Sequence, residues 1–100
     1  MTPTLRLDHV ALEVADLDAA IAFYTQKIGL RLQFRQVDET HHEAFAFLDM
    51  EGGNLELLQS LDANNRPKPF TPGPRRDSNS PHVAIGVEDL DALLQQLRRE

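Results

Sequence analysis

The chain has 100 residues and a formal net charge of −6, which allows a single domain with a modest core and disfavours general binding to nucleic acid or anionic membrane. It contains no Cys, so disulfides and thiolate metal sites are excluded. No apolar run approaches the roughly 20 residues that span a bilayer, and Met1-Thr2-Pro3-Thr4 lacks the basic and apolar stretches of a signal peptide, so a cytoplasmic protein with no membrane or nucleic-acid partner is expected.

Taken in chain order, the first element is a strand. Val10, Leu12 and Val14 alternate with His9, Ala11 and Glu13, a period of two with one apolar and one mixed face. Asp16 follows as a helix N-cap. Leu17, Ala20, Ile21, Tyr24 and Ile28 then recur at helical spacing, and Gly29 suits the position just past the helix end. Leu30, Leu32 and Phe34 alternate with Arg31, Gln33 and Arg35, predicting a second strand with both arginines on its non-aliphatic face. Asp38 to His42 is polar and reads as a turn, with His41 and His42 exposed in it. Residues 44–49 give a third strand, with Phe45 and Phe47 sharing a face as core or pocket wall. Gly52-Gly53-Asn54 signals a turn. Residues 55–59 give a fourth strand, Leu55 and Leu57 on one face and Glu56 on the other. Residues 5–59 therefore predict one strand–helix–strand–strand–strand module.

Residues 60–81 read as a linker, because five of the six prolines fall between positions 67 and 81 among Asn, Ser, Gly and Arg. Its basic residues Arg66, Lys68, Arg75 and Arg76 suit a solvated linker or an anionic substrate. Residues 82–100 then restart the pattern. HVAIGVEDLDALL, from His82 to Leu94, repeats HVALEVADLDAAI, from His9 to Ile21, at an offset of 73 residues with eight of thirteen positions identical. Val83, Ile85 and Val87 predict a strand, Asp89 an N-cap, and Leu90, Leu93, Leu94 and Leu97 a helix whose end carries Arg98 and Arg99. The predicted fold is α+β, built of paired βαβββ modules around a curved mixed sheet, with the second module truncated after its strand and helix. Open sheet edges invite a second chain, so a homodimer is expected.

The chemistry resides in three residues. A single His opening a strand is ordinarily structural or solvated, but His9 and His82 occupy equivalent positions on the mixed faces of two related strands. Glu56 is a carboxylate inside a short apolar strand, where burial is costly unless a partner neutralises it. Two imidazoles and a carboxylate on one face suit a divalent metal with open positions. Glu13 follows on the same face as His9.

LDHVALEVADLDAAIAFYTQKIGL at 7–30, NLELLQ at 54–59 and PHVAIGVEDLDALLQQL at 81–97 together resemble the vicinal oxygen chelate superfamily, which includes glyoxalase I, methylmalonyl-CoA epimerase, extradiol dioxygenases, fosfomycin-resistance enzymes and bleomycin-binding proteins. The resemblance implies a divalent metal (Zn, Ni, Mn, Co or Fe) held by His9, Glu56 and His82; a further carboxylate ligand of the family has no counterpart in the chain. It also implies a small-molecule substrate whose two vicinal oxygens chelate the metal, and proton removal through an enediolate, with Glu56 as a base that leaves the metal. Arg31 and Arg35 are the candidate substrate-binding residues. Glu56 favours a glyoxalase I-like lyase or isomerase, with a methylmalonyl-CoA epimerase-like isomerase as the alternative, followed by a metal-free drug-sequestering protein.

Overall fold

The computed structural model describes residues 4–70 and 83–99. Four strands and two helical elements follow the predicted order. Strand β1 is His9–Glu13, helix α1 is Leu17–Ala22, and a π-helical stretch, Phe23–Ile28, continues α1 directly. Then come β2 (Arg31–Asp38), β3 (Glu43–Met50), β4 (Gly53–Ser60) and helix α2 (Leu90–Arg99). The sheet order is β1-β4-β3-β2. β1 runs parallel to β4, while β3 is antiparallel to both β4 and β2. A parallel pair needs a crossover; here α1, β2 and β3 all lie between β1 and β4 in the chain, so the module closes on itself and leaves β1 and β2 as the sheet edges.

The local signals act as expected. Asp16 caps α1 by accepting the Ala19 N–H at 3.1 Å, and Asp89 accepts the Ala92 N–H at 2.9 Å at the start of α2. Gly29 ends the first helical element with φ +93°, a left-handed conformation a side chain would resist. The π-helical geometry of residues 23–28 was not legible in the sequence. Thr25 Oγ1 donates back to the Ile21 carbonyl at 2.8 Å there, the kind of side-chain bond that perturbs a helical ladder.

The core lies between α1 and one face of the sheet. Leu17, Leu48, Leu55 and Leu57 are fully buried, with Ala44, Ala46 and Leu61 beside them and Val10, Leu12, Val14, Ala20, Ile21 and Tyr24 packed around. Each buried leucine stabilises the fold by roughly 1.5–3 kcal/mol. Gln59 also points to this side and is buried, and its Oε1 accepts the Leu17 N–H at 2.8 Å, so a core amide satisfies one of the free donors of the helix start. The remaining face of the sheet carries no helix among the described residues.

Three details depart from the sequence expectations. The first is in β2. Leu32 pairs with Leu48, but Phe34, not Gln33, pairs with Phe47, so Gln33 is an extra residue that inverts the alternation. Phe34 therefore turns away from the aliphatic side, and Arg31 and Arg35 fall on opposite faces. The second concerns residues 61–67, expected to be linker. Leu61 is buried in the core, bridges Pro67, and donates its N–H to the His42 carbonyl at 2.8 Å. Asp62 closes the turn by accepting the N–H groups of Asn64 and Arg66; a compact Asx turn replaces extended chain because one large apolar side chain finds a place in the core. The third is the second copy. Residues 83–87 form no strand, since a strand exists only through a paired neighbour and none of the described strands pairs with this segment. No helix in the described residues is long and apolar enough to cross a membrane.

Candidate metal and proton-transfer site

The helix-free face of the sheet gathers the polar residues singled out in the sequence. In the parallel β1–β4 register His9 stands beside Asn54 and Ala11 beside Glu56, so His9 and Glu56 sit diagonally on one face. His9 Nε2 lies 3.6 Å from Glu56 Oε1. The other side of the site is aromatic. Phe47, next to Glu56 in the β3–β4 register, stacks on Phe34 at 5.0 Å between centroids and stands 5.0 Å from the His9 ring. Phe45 meets both phenylalanines edge-on. The β2 bulge is what brings Phe34 into this cluster. The Glu56 side chain is only 18% exposed, a carboxylate set among aromatic rings with His9 as its partner.

His9 is held from behind by a residue the sequence reading did not single out. Its Nδ1 lies 2.8 Å from Asp8 Oδ2. That hydrogen bond holds the Asp8 carboxyl below the usual carboxylate range, so an ionised Asp8 accepts and Nδ1 donates. In the neutral ring Nε2 then carries the lone pair, and it faces an oxygen of Glu56. In that form two acceptors face each other across 3.6 Å without a hydrogen bond, and a cation between them would satisfy both. Two donors about 2.1 Å from one ion at a tetrahedral angle stand roughly 3.4 Å apart, so the spacing fits a divalent metal. Asp8 escaped notice because neighbouring residues in a strand point to opposite faces; here it precedes β1, where the chain is free to curl back.

The other sequence candidates separate. His82 lies outside the described residues, as do Arg75 and Arg76. No group of three or more His, Cys, Asp or Glu side chains among the described residues is arranged to hold a metal ion. Arg31 is on the site face, at its rim, and donates from Nε to Asp49 at 2.8 Å. Arg35 is on the helix side, paired through Nε with Asp18 of α1 at 2.9 Å, and lines a separate cleft of about 290 Å³ with Gln59, Leu61 and Asn65. The expectation that both arginines share a face with the site is corrected by the bulge. His41 bonds Asp38 within its own turn, and His42, with φ +57°, bonds Asn65 Oδ1 at 2.7 Å; both stabilise turns. Glu13 accepts from Ser60 Oγ at 3.2 Å, at the far end of β1.

The chain matches the model of the Glyoxalase/Bleomycin resistance protein/Dioxygenase superfamily over residues 6–100. It belongs to that superfamily. It is 30% identical over 97 residues to a probable lactoylglutathione lyase of Vibrio cholerae, covering 93% of this chain and 64% of that protein. It is 26% identical over 95 residues to the mitochondrial methylmalonyl-CoA epimerase of Homo sapiens, covering 95% and 53%. The chain thus spans between about half and two-thirds of the length of these superfamily relatives. Among solved structures, the trypanothione-dependent glyoxalase I of Leishmania major superposes with a TM-score of 0.72 at 27% identity, over 96% of this chain and 66% of that one.

Proposed function

We propose that this domain serves a divalent-metal-dependent lyase or isomerase of the glyoxalase I type, acting on a small substrate by proton transfer beside a carbonyl, with His9, Glu56 and His82 as metal ligands. The observation that carries this reading is the approach of His9 Nε2 and the Glu56 carboxylate on one aromatic-walled face. The similarity to proteins named lactoylglutathione lyase supports it. The metal, when bound, supplies Lewis acidity to a substrate carbonyl and so acidifies the adjacent C–H. The chain's own residues do the rest. Phe34, Phe45 and Phe47 set apolar rings along one side of the site, which lowers the polarity around the half-buried Glu56 and strengthens its charge interactions. Glu56, partly desolvated and short of donors, is the group placed to take the proton. Arg31, at the rim and tied to Asp49, is the described arginine positioned to meet an anionic substrate group. The expected assembly is a homodimer, and the expected compartment the cytoplasm.

The test is a titration of the metal-free chain with Co²⁺, followed by visible absorbance. One ion per site is expected, with His9→Ala and Glu56→Gln each weakening binding beyond the roughly 100-fold that loss of an outer hydrogen-bond partner costs. Co²⁺ affinity indifferent to both substitutions would refute the assignment. A parallel assay separates the two substrate readings. Isomerisation of a glutathione hemithioacetal marks the lyase. Exchange of the α-proton of a methylmalonyl thioester marks the epimerase reading, which the similarity to methylmalonyl-CoA epimerases favours.

A further inference from the structure

The polar residues beside His9 form one continuous chain of directed hydrogen bonds that crosses all four strands. It begins at the rim, where Arg31 of β2 donates to Asp49 of β3 at 2.8 Å. Gln33, the extra residue of the β2 bulge, donates through Nε2 both to Asp49 Oδ1 and to Asn54 Oδ1. Because Asn54 Oδ1 is an acceptor here, its Nδ2 must face the other way, and it donates to the Asp8 carbonyl at 2.9 Å. The Asn54 backbone N–H donates to the same carbonyl, also at 2.9 Å. Asp8, clamped by two donors, presents its carboxylate to His9 Nδ1 at 2.8 Å.

The backbone is shaped for this approach. A Cβ on Gly53 would stand 2.9 Å from the Leu7 carbonyl oxygen and 3.6 Å from that of Asp8. The close seat of residues 7–8 against the start of β4 therefore requires glycine at 53. Asp8 is highly exposed, with a side-chain exposure of 63%, so neither burial nor packing explains why its side chain is turned onto the neighbouring ring. The clamp does.

We propose that Asp8 is a positioning residue for His9, held in place by Asn54 and, through the bulge, by Gln33, and that it keeps the ring proton on Nδ1 so that the Nε2 lone pair faces Glu56. This extends the metal-site reading above and rests on it for its purpose. Its immediate consequence, the tautomer, is a property of the metal-free chain. The hydrogen bond made by one ring nitrogen decides which form the other takes, and such partners orient imidazole ligands and raise their basicity. The bulge thus has two effects from one inserted residue: it carries Phe34 onto the site face and frees Gln33 to bridge β3 and β4.

The experiment is long-range ¹H–¹⁵N NMR of the metal-free chain at pH 7.5, with the His9 ring assigned by its loss in His9→Ala. The wild-type ring is expected as a single Nδ1–H form. Asp8→Ala should release it to a mixture of tautomers, and Gln33→Ala should give a smaller shift in the same direction. Co²⁺ affinity should fall by roughly 10–100-fold in Asp8→Ala. A wild-type ring that carries a proton on Nε2, or a tautomer unchanged by Asp8→Ala, overturns the assignment whatever the metal does. A ring fixed as Nδ1–H and released by Asp8→Ala, in a chain that takes up no Co²⁺, leaves the positioning role standing and rejects the metal reading instead.

Discussion

The two copies of the repeated segment share eight of thirteen residues but have different structures. In the first copy, Val10 and Leu12 lie in a strand paired with β4, and Leu17 is fully buried. In the second, the equivalent Val83 and Ile85 belong to no strand, and Leu90, the counterpart of Leu17, is 58% exposed. The helices behave alike, since both are started by an aspartate cap. The strands do not. A helix satisfies its backbone internally, whereas a strand needs a partner. A helix is thus legible as a local object, while the same strand-forming residues remain irregular where no strand pairs with them.

Mutating equivalent positions tests that contrast, beginning with the largest expected effect. Leu17→Ala should cost about 2–5 kcal/mol by leaving a cavity between α1 and the sheet. Leu90→Ala should change stability by less than about 0.5 kcal/mol. Urea unfolding of both variants decides the matter, and equal losses would mean that α2 is as firmly packed as α1.

The caps give a smaller difference. Asp16→Ala should lower the unfolding free energy by about 1 kcal/mol, because α1 folds with the sheet. Asp89→Ala should leave the unfolding midpoint in place and reduce only the helical circular dichroism. A midpoint shift in Asp89→Ala would show that the second copy unfolds together with the first.

The smallest effect is on pH, in the turns of the first module. The Arg66 and Asn64 N–H groups hold the Asp62 carboxyl below its ordinary value, and the His41 N–H and ring do the same for Asp38. A folded value below the unfolded one stabilises the turn above the unfolded value of about 3.9, and that stabilisation is lost as pH falls through the folded value. Amide exchange at Asn64 and Arg66, corrected for the intrinsic rate, should be protected at pH 5 and lose that protection below the folded value. Protection that persists at the lowest pH would show that the turn is held by Leu61 rather than by the Asp62 carboxylate.

Much of the candidate site was legible before any coordinates. The period of two in β1 and β4 puts His9 and Glu56 opposite the aliphatic residues, and both face the same side as expected. Phe45 and Phe47 follow from the same argument. Three things were not legible. The bulge at Gln33 leaves no mark in composition, so Phe34, Arg31 and Arg35 could not be assigned to faces by counting. Asp8 gains its role only because Asn54 and Gly53, 45 and more residues away in sequence, hold its backbone. Leu61 looked like linker because its neighbours are polar.

By itself, the sequence determined the helix starts with their caps, the positions of the turns, the alternation within β1, β3 and β4 and the duplicated origin of the segments at 9–21 and 82–94. These depend on interactions among residues a few positions apart. The tertiary structure alone decided the strand order, the inverted face of β2, the clamp on Asp8 and the different structures of the two copies. The reason is that pairing between strands is a contact between distant residues, and a one-residue insertion in that pairing turns every side chain beyond it to the other face.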